Sequence, residues 1–329
     1  MLHFSNAGLR NRPGQGTKTV VDVLQGTAGD AAYTSALINS GACILDWQLH
    51  EERLTRSLQL LHEDHTHLYQ FLFASLSHCA ADALPSALQQ AIRRAARPLV
   101  LAAMQAWLAD LRALPAMLVC VVQSAAPPLL LHVDVMIKPA PSPTLGRALK
   151  VVVLGGPRRL PGAKHTGWVH ERAALERAQP PEADEVLLAD EEGKLLEGLI
   201  TNFAVIQEVA QEPCLVTASP AAALPGLLLH RVVQAAAQLG LPVVRCGPSP
   251  AHRLAWREAF TMNCVRGIQP VSHIWVPPGG EGGGWELQVP GPWPGPHTLR
   301  LQRALAQLQV AWDVEQLAAQ CGSGSNSTD

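Results

Sequence analysis

Apolar positions in the first part of the chain change from a strand period to a helical one. Residues 33–46 alternate loosely and are rich in small and β-branched side chains, which predicts a pair of strands that turn at Gly41. Leucines then recur at helical spacing over residues 49–61, where three of them share one face. Prolines bound two more apolar stretches, so we predict separate helices over residues 86–96 and 99–114.

Short apolar runs of strand length dominate the rest of the chain. A turn at residues 191–193 predicts a hairpin, and helices are predicted over residues 226–239 and 298–308, the second able to continue to residue 317. The predicted strands are residues 117–122, 133–137, 150–154, 185–189, 194–198, 203–207, 215–218, 242–246, 257–262 and 271–276.

Composition narrows the class of protein. Hydrophobic residues make up 48% of the 329 residues and charged residues 16%, which is typical of a globular chain. The net charge of −2 gives no basic bias towards nucleic acid or anionic membranes. No uninterrupted apolar run reaches the roughly 20 residues of a membrane span. We therefore expect no nucleic-acid or membrane partner.

The cysteines favour a reducing compartment. The chain has seven of them, without a CxxC pair, so an intracellular protein, cytoplasmic or organellar, is expected. Residues 1–18 contain three basic residues and no acid, which fits either a transit peptide or a plain tail. The histidine-rich residues 62–67 are interpreted as a polar surface, and no metal is predicted.

Four motifs follow one another in a recognisable order. Residues 50–57 have the pattern His-x-x-Arg-Leu-x-x-Ser, and Lys164 follows a Leu-Pro-Gly-Ala turn. Residues 197–203 read Glu-Gly-Leu-Ile-Thr-Asn-Phe, and residues 258–271 form a last segment around Cys264. Together these resemble the class IV aminotransferase family of fold-type IV pyridoxal-phosphate enzymes, which includes branched-chain and D-amino-acid aminotransferases and aminodeoxychorismate lyase.

The resemblance implies a catalytic lysine and a carboxylate partner for the cofactor ring. Lys164 would hold pyridoxal 5'-phosphate as a Schiff base and move protons between the substrate α-carbon and cofactor C4′. Glu197 would face the pyridine nitrogen and keep it protonated, so that the ring accepts electrons. Asn202 would support the hairpin around the cofactor.

The resemblance also implies a phosphate site that departs from the family pattern. Arg53 would bind the phosphate through bidentate, charge-assisted bonds. Leu227 and Leu228 open a predicted helix and would contribute backbone N–H groups only; a plain helix start is the alternative. Cys264 stands where relatives have Ser or Thr, and a thiol is a weaker donor. Backbone N–H groups of Cys264 and Val265 are therefore expected to contribute.

The substrate is less well indicated. Tyr33 matches an aromatic position that lines the substrate pocket in relatives, with a core tyrosine as the alternative. Val169 replaces a cofactor-contacting tyrosine of branched-chain enzymes, and residues 123–126 lack the arginine clamp of D-amino-acid enzymes. Other candidates for a carboxylate clamp are Arg158, Arg159 and Arg172.

The resemblance implies an α+β fold of two domains with the cofactor in the interdomain cleft, and a homodimer. The predicted parts are a tail (1–18), a smaller α/β domain (19–126), a larger cofactor-binding domain (127–321) and a flexible tail (322–329). The expected reaction is amino transfer between an amino acid and a 2-oxo acid. The alternatives are pyruvate release, as in aminodeoxychorismate lyase, and a non-catalytic scaffold.

Overall fold

The structure is a computed structural model of the whole chain. It describes residues 1–6, 19–27, 29–77, 79–80, 82–110, 114–141, 147–277 and 284–322. The predicted tails at 1–18 and 322–329 therefore lie largely outside the described residues.

Helices and strands alternate along the chain. The strands are β1 (Leu2–Ser5), β2 (Ala32–Ile38), β3 (Ile44–Leu45), β4 (Ala116–Ser124), β5 (Leu131–Pro139), β6 (Leu149–Val153), β7 (Glu185–Ala189), β8 (Leu195–Gly198), β9 (Asn202–Val209), β10 (Glu212–Thr217), β11 (Val243–Arg245), β12 (Trp256–Asn263), β13 (Gly267–Val276), β14 (Trp285–Gln288) and β15 (Ala311–Trp312). The helices are α1 (Val20–Gln25), α2 (Trp47–Asp64), α3 (Thr66–Ser75), α4 (Leu84–Ala109), α5 (Gly167–Glu171), α6 (Ala173–Ala178), α7 (Leu227–Gln238), α8 (Pro296–Leu308) and α9 (Val314–Gly322), with a 3-10 helix at Pro250–Ala255.

The chain divides into two compact units. The first unit comprises Met1–Pro141, Ala163–His170 and Val310–Asp329, and the second comprises Ser142–Gly162 and Glu171–Gln309. The predicted boundary after residue 126 differs from this division, because β5 pairs with β4 along its whole length. Lys164, which lies in the segment Ala163–His170, also belongs to the first unit.

The first unit is built on an antiparallel sheet with the strand order β1-β5-β4-β2-β3-β15. The predicted strand pair at residues 33–46 is confirmed as β2 and β3. Helix α2 is also confirmed, and its predicted leucine face (Leu54, Leu58 and Leu61) is fully buried.

The prediction of two helices on either side of Pro98 is wrong, because α4 continues through that residue. A proline inside a helix removes one hydrogen bond and costs about 3 kcal/mol. The buried face of α4 offsets this cost, since burying a large aliphatic side chain contributes about 1.5–3 kcal/mol. Buried residues flank the proline on both sides, among them Ile92, Ala96, Val100 and Met104.

The second unit contains a larger mixed sheet with the order β11-β10-β9-β12-β13-β6-β7-β8, and β14 pairs with β13. Strand β8 also pairs with β9, so β9, β12, β13, β6, β7 and β8 form a closed ring. The predicted hairpin is confirmed as β7 and β8. A single cross-strand pair, Glu197 with Asn202, closes the ring.

Helices α7 and α8 pack on this sheet and bury a core with residues of β9, β10, β12 and β13. The predicted continuation of α8 to residue 317 is wrong. The chain becomes extended at Gln309, and β15 then pairs with β3. Among the described residues, every helix is too short or too polar to cross a membrane. Nor do three His, Cys, Asp or Glu side chains in those ranges come together as metal ligands.

Candidate active site

Backbone hydrogen bonds fix the candidate lysine in the first unit. The Lys164 N–H donates to Ser57 Oγ of α2 (3.0 Å), and the Lys164 carbonyl accepts from the Tyr33 N–H of β2 (3.0 Å). The chain around Lys164 is thus held by the two elements that carry Arg53 and Tyr33. The lysine side chain is half-buried.

Tyr33 lies directly beside the lysine amine. The Lys164 Nζ atom is 4.6 Å from the centroid of the Tyr33 ring, a distance at which the ring face attracts an ammonium group. Tyr33 is only 4% exposed and packs in a core cluster with Val119, Val121 and Val169. The structure therefore places Tyr33 at the lysine, while its role as a wall of the substrate pocket stays a prediction.

Arg53 is held by a hydrogen-bonded network on the buried face of α2. Its guanidinium donates to Thr34 Oγ1 and to His50 Nδ1 (3.2 Å), and the Thr34 hydroxyl donates to His50 Nδ1 (2.6 Å). Burial, with the nearby charges of Arg53 and Lys164, lowers the pKa of His50 well below its usual range. His50 is thus neutral near pH 7 and accepts these bonds. Thr34 has no motif of its own, and sequence reasoning missed it.

In the second unit, the backbone of one residue, Leu224, joins the two residues that close the strand ring. The Glu197 carboxylate accepts from the Leu224 N–H (3.2 Å to Oε1 and 3.1 Å to Oε2), and the Asn202 Nδ2 amide donates to the Leu224 carbonyl (2.8 Å). Glu197 is 3% exposed and Asn202 6%. Leu224 was not a predicted site residue, because its contribution is made by its backbone alone.

The Leu224 turn leads directly into α7. Gly226 is the N-cap and has no side chain to cap the helix; a Cβ atom there would collide with Asn202 Oδ1. The first intrahelical bond runs from the His230 N–H to the Gly226 carbonyl (2.9 Å), so the N–H groups of Leu227 and Leu228 precede it. The Leu228 side chain is buried in the core. Leucine side chains cannot hydrogen-bond, so Leu227 and Leu228 can contribute only backbone N–H groups to an anion site. Phosphate binding at this helix start stays a prediction.

The last predicted motif forms a turn after β12. Asn263 Oδ1 accepts from the N–H groups of Val265 (3.0 Å) and Arg266 (2.8 Å), and Asn263 Nδ2 donates to the Ile200 carbonyl (3.4 Å). The Val265 N–H is thus engaged within the turn. Cys264 is half-buried and packs against the core beneath α7 and α8. Phosphate binding by Cys264 and Val265 stays a prediction.

A second buried acid supports the loop between Glu197 and Asn202. Glu185 Oε1 accepts from Thr201 Oγ1 (2.9 Å) and from the Ile200 N–H (3.4 Å). A Cβ atom on Gly198 would collide with both Glu185 and Thr201, so this position has room for glycine only. Burial raises the pKa of Glu185 to about 7. The sequence showed only an acid at the start of an apolar strand, which is a weak signal.

Two of the arginines considered as a carboxylate clamp are engaged with acids. Arg172 Nε donates to Glu176 (2.8 Å), and Arg158 Nη1 lies 3.6 Å from Glu197 Oε1. Arg159 is exposed. The structure therefore gives the clamp prediction no support at Arg158 or Arg172.

Comparisons with known proteins agree with this fold. The family model described as amino-transferase class IV matches residues 31–274. A pyridoxal-phosphate-bound hypothetical aminotransferase from Mycobacterium tuberculosis has a TM-score of 0.66 at 17% identity, over 93% of this chain and 98% of that chain. The form of that protein with α-ketoglutarate and PMP gives a TM-score of 0.64 at 18% identity, with the same coverage. Branched-chain amino acid aminotransferase from Escherichia coli gives 0.61 at 16% identity over 93% of both chains. No curated protein matches the sequence.

The fold is therefore that of a fold-type IV pyridoxal-phosphate enzyme, α+β, with one antiparallel and one mixed sheet. The chain belongs to the class IV aminotransferase family. That family uses pyridoxal phosphate, which confirms the predicted cofactor class.

The residues present fit this cofactor. Pyridoxal phosphate offers an aldehyde, a phosphate and a pyridine nitrogen. The chain supplies an amine on Lys164, a guanidinium on Arg53 and a buried carboxylate on Glu197. It also supplies the start of helix α7, where the N-cap residue Gly226 makes no side-chain cap hydrogen bond. Each functional group of the cofactor thus has a matching donor or acceptor.

Proposed function

We propose that this chain is a pyridoxal-phosphate-dependent transaminase that moves an amino group between an amino acid and a 2-oxo acid. Lys164 is the amine that binds the cofactor aldehyde, and Glu197 is the partner of the pyridine nitrogen. When bound, the cofactor supplies an electron sink for the bonds at the substrate α-carbon. The substrates named for the structural neighbours are not transferred to this chain.

The buried carboxylate of Glu197 is the observation that best supports this proposal. An ionised carboxylate loses several kcal/mol of hydration on burial unless other groups compensate it. Here the Leu224 N–H and the Arg158 guanidinium compensate it. A scaffold that had lost its cofactor would have no chemical use for this costly arrangement.

The other residues bind the cofactor phosphate or keep the binding groups in place. Arg53, kept in place by Thr34 and His50, binds the phosphate, as do backbone N–H groups of Leu227 and Leu228. Cys264 and Val265 are assigned a smaller part in phosphate binding, since the Val265 N–H is engaged by Asn263.

Asn202 anchors the turn that joins the carboxylate to the helix start. Tyr33 borders the lysine amine and lines the substrate pocket. Lys164 moves the proton between the substrate α-carbon and cofactor C4′, a task for a positioned amine.

Covalent trapping tests the lysine assignment. The protein is incubated with pyridoxal phosphate, reduced with borohydride and digested, and mass spectrometry locates the modified residue. We expect the modification on Lys164. Lys164→Ala should remove it and lower turnover by about 100-fold or more. The matched control is Lys150→Ala, an exposed lysine on β6. Modification of another lysine, or none, would refute the assignment.

The reaction is tested with L- and D-amino acids and several 2-oxo acid acceptors, with both products measured. The lyase is the second candidate. Val169, a core residue where branched-chain enzymes have a cofactor-contacting tyrosine, favours the lyase and the D-amino-acid aminotransferase over the branched-chain reaction. Pyruvate release from aminodeoxychorismate without an acceptor would establish the lyase and exclude the transaminase proposal.

We also propose a homodimer, as the family resemblance implies. Light scattering during size-exclusion chromatography measures the mass of the assembly directly. A mass of about 70 kDa, twice the 35.2 kDa chain, is expected. A mass of one chain across the concentration range would exclude the dimer.

A further inference from the structure

Arg158 is buried within an otherwise exposed segment. The residues around it, Gly155, Gly156, Pro157 and Arg159, are exposed, whereas the Arg158 side chain is 3% exposed. Burying an arginine side chain costs several kcal/mol unless its charge is compensated. The Arg158 guanidinium is therefore buried in the second unit, where it lies next to the Glu197 carboxylate.

The contact is electrostatic in character. Arg158 Nη1 is 3.6 Å from Glu197 Oε1, which is an ion-pair distance and longer than an ordinary N–H···O hydrogen bond. Both Glu197 oxygens lie within 3.2 Å of the Leu224 nitrogen. A nearby positive charge and an N–H donor both favour the ionised form of a carboxylate over the protonated form.

From this geometry we infer that Arg158 is a positioning residue that keeps Glu197 ionised, so that a proton shared with the cofactor ring resides on the pyridine nitrogen. The inference rests on the proposed role of Glu197. The guanidinium is in ion-pair contact with the carboxylate, so it stabilises the carboxylate anion directly. Without Arg158, a buried Glu197 competes for the same proton. We thus assign Arg158 the role of stabilising the Glu197 carboxylate anion, rather than that of binding a substrate carboxylate.

The direct test is the protonation state of the ring. Wild-type protein and variants are reconstituted with ¹⁵N-labelled pyridoxal phosphate, and the ring-nitrogen chemical shift is followed from about pH 6 to pH 9. In Arg158→Met the pH of half-protonation of the ring nitrogen should fall by about one unit or more. Arg158→Lys should largely restore it. The matched control is Arg159→Met, the same change at the exposed neighbour, which should leave it unchanged. An Arg158→Met protein whose ring nitrogen titrates as in the wild type would overturn the inference.

A second measurement needs no cofactor. Urea unfolding of the cofactor-free protein compares Arg158→Met in the wild-type and Glu197→Gln backgrounds. We expect Arg158→Met to lower the unfolding midpoint in the wild type. In the Glu197→Gln background the partner is a neutral amide, so the same change should lower the midpoint much less. If Arg158→Met alone fails to fold but the double variant Arg158→Met/Glu197→Gln folds, that result also shows that the two charges are coupled. Equal losses in both backgrounds would show that the two charges are not coupled and would overturn the inference.

The two measurements also separate this inference from the proposed function. Coupling in the cofactor-free protein, together with failure of the wild type to bind pyridoxal phosphate, would refute the proposed function and with it the role of Arg158 at the ring. Cofactor binding at Lys164 with no coupling between Arg158 and Glu197 would refute only the inference.

Discussion

Replacing Glu185 with glutamine should remove a pH-dependent loss of stability from the second unit. Glu185 is fully buried, and its Oε2 atom has no hydrogen-bond partner among the described residues. Burial raises its pKa to about 7 from the usual 4.5, although bonds from Thr201 and Ile200 and the charges of Arg266 and Arg172 oppose the shift. The folded protein therefore holds a proton at pH values where the unfolded chain has lost it.

The sign and size of the effect follow from linkage. Between pH 4.5 and 7 the native state binds one proton more than the unfolded state at this group, so stability falls as the pH rises. Each pH unit corresponds to about 1.4 kcal/mol, which gives a total of about 3 kcal/mol over this window. Glutamine cannot titrate, and its amide occupies the same volume. Relative to the wild type, Glu185→Gln should thus gain about 3 kcal/mol between about pH 4.5 and pH 8.

Urea unfolding of the cofactor-free proteins at several pH values between about 4.5 and 8 measures this difference. Glu212→Gln, an exposed acid on β10 of the same unit, is the matched control and should follow the wild type. Parallel stability curves for the wild type and Glu185→Gln across the whole range would show that Glu185 does not titrate there, and the reasoning would fail.

Two further predictions concern a buried ion pair in the first unit and a close contact at Gly226 in the second. The Glu51 side chain is fully buried and is bound by Arg97 (2.6 and 2.9 Å) and by the more exposed Arg93 (2.9 Å). Arg97→Leu should therefore cost about 3–5 kcal/mol in urea unfolding and Arg93→Leu clearly less; equal losses would contradict this. In the second unit, Gly226→Ala forces a methyl group against Asn202. It should cost about 1–3 kcal/mol and weaken pyridoxal phosphate binding, and unchanged stability and affinity would refute the reasoning.

Periodicity predicted most of the secondary structure because it depends on near neighbours in the chain. The leucine face of α2 and the hairpin of β7 and β8 are local patterns, and both are confirmed. Pro98 misled the prediction of α4, since the elements that bury the apolar face of this helix, among them α2, β5 and α9, are distant from it in sequence. The boundary placed after residue 126 differs for a related reason: pairing of β4 with β5 crosses a stretch that looks like a linker.

The residues of the candidate site also fall into those that local sequence motifs indicate and those that only the folded structure reveals. Lys164, Arg53, Glu197 and Asn202 lie in short strings that can be recognised without a structure, although their roles stay proposals. Thr34, whose hydroxyl orients Arg53, lies in no such string. Its part in the site depends on a helix packing against a strand.

By itself, the sequence determined the family, the cofactor class and most of the strands, because these depend on residue types at fixed local spacings. Tertiary structure alone decided how buried charges are compensated. Arg158 reaches Glu197 from a separate segment, and the backbone N–H and carbonyl of Leu224 join Glu197 to Asn202. Electrostatic and hydrogen-bond energies depend on distances in space, and those distances exist only once the chain has folded.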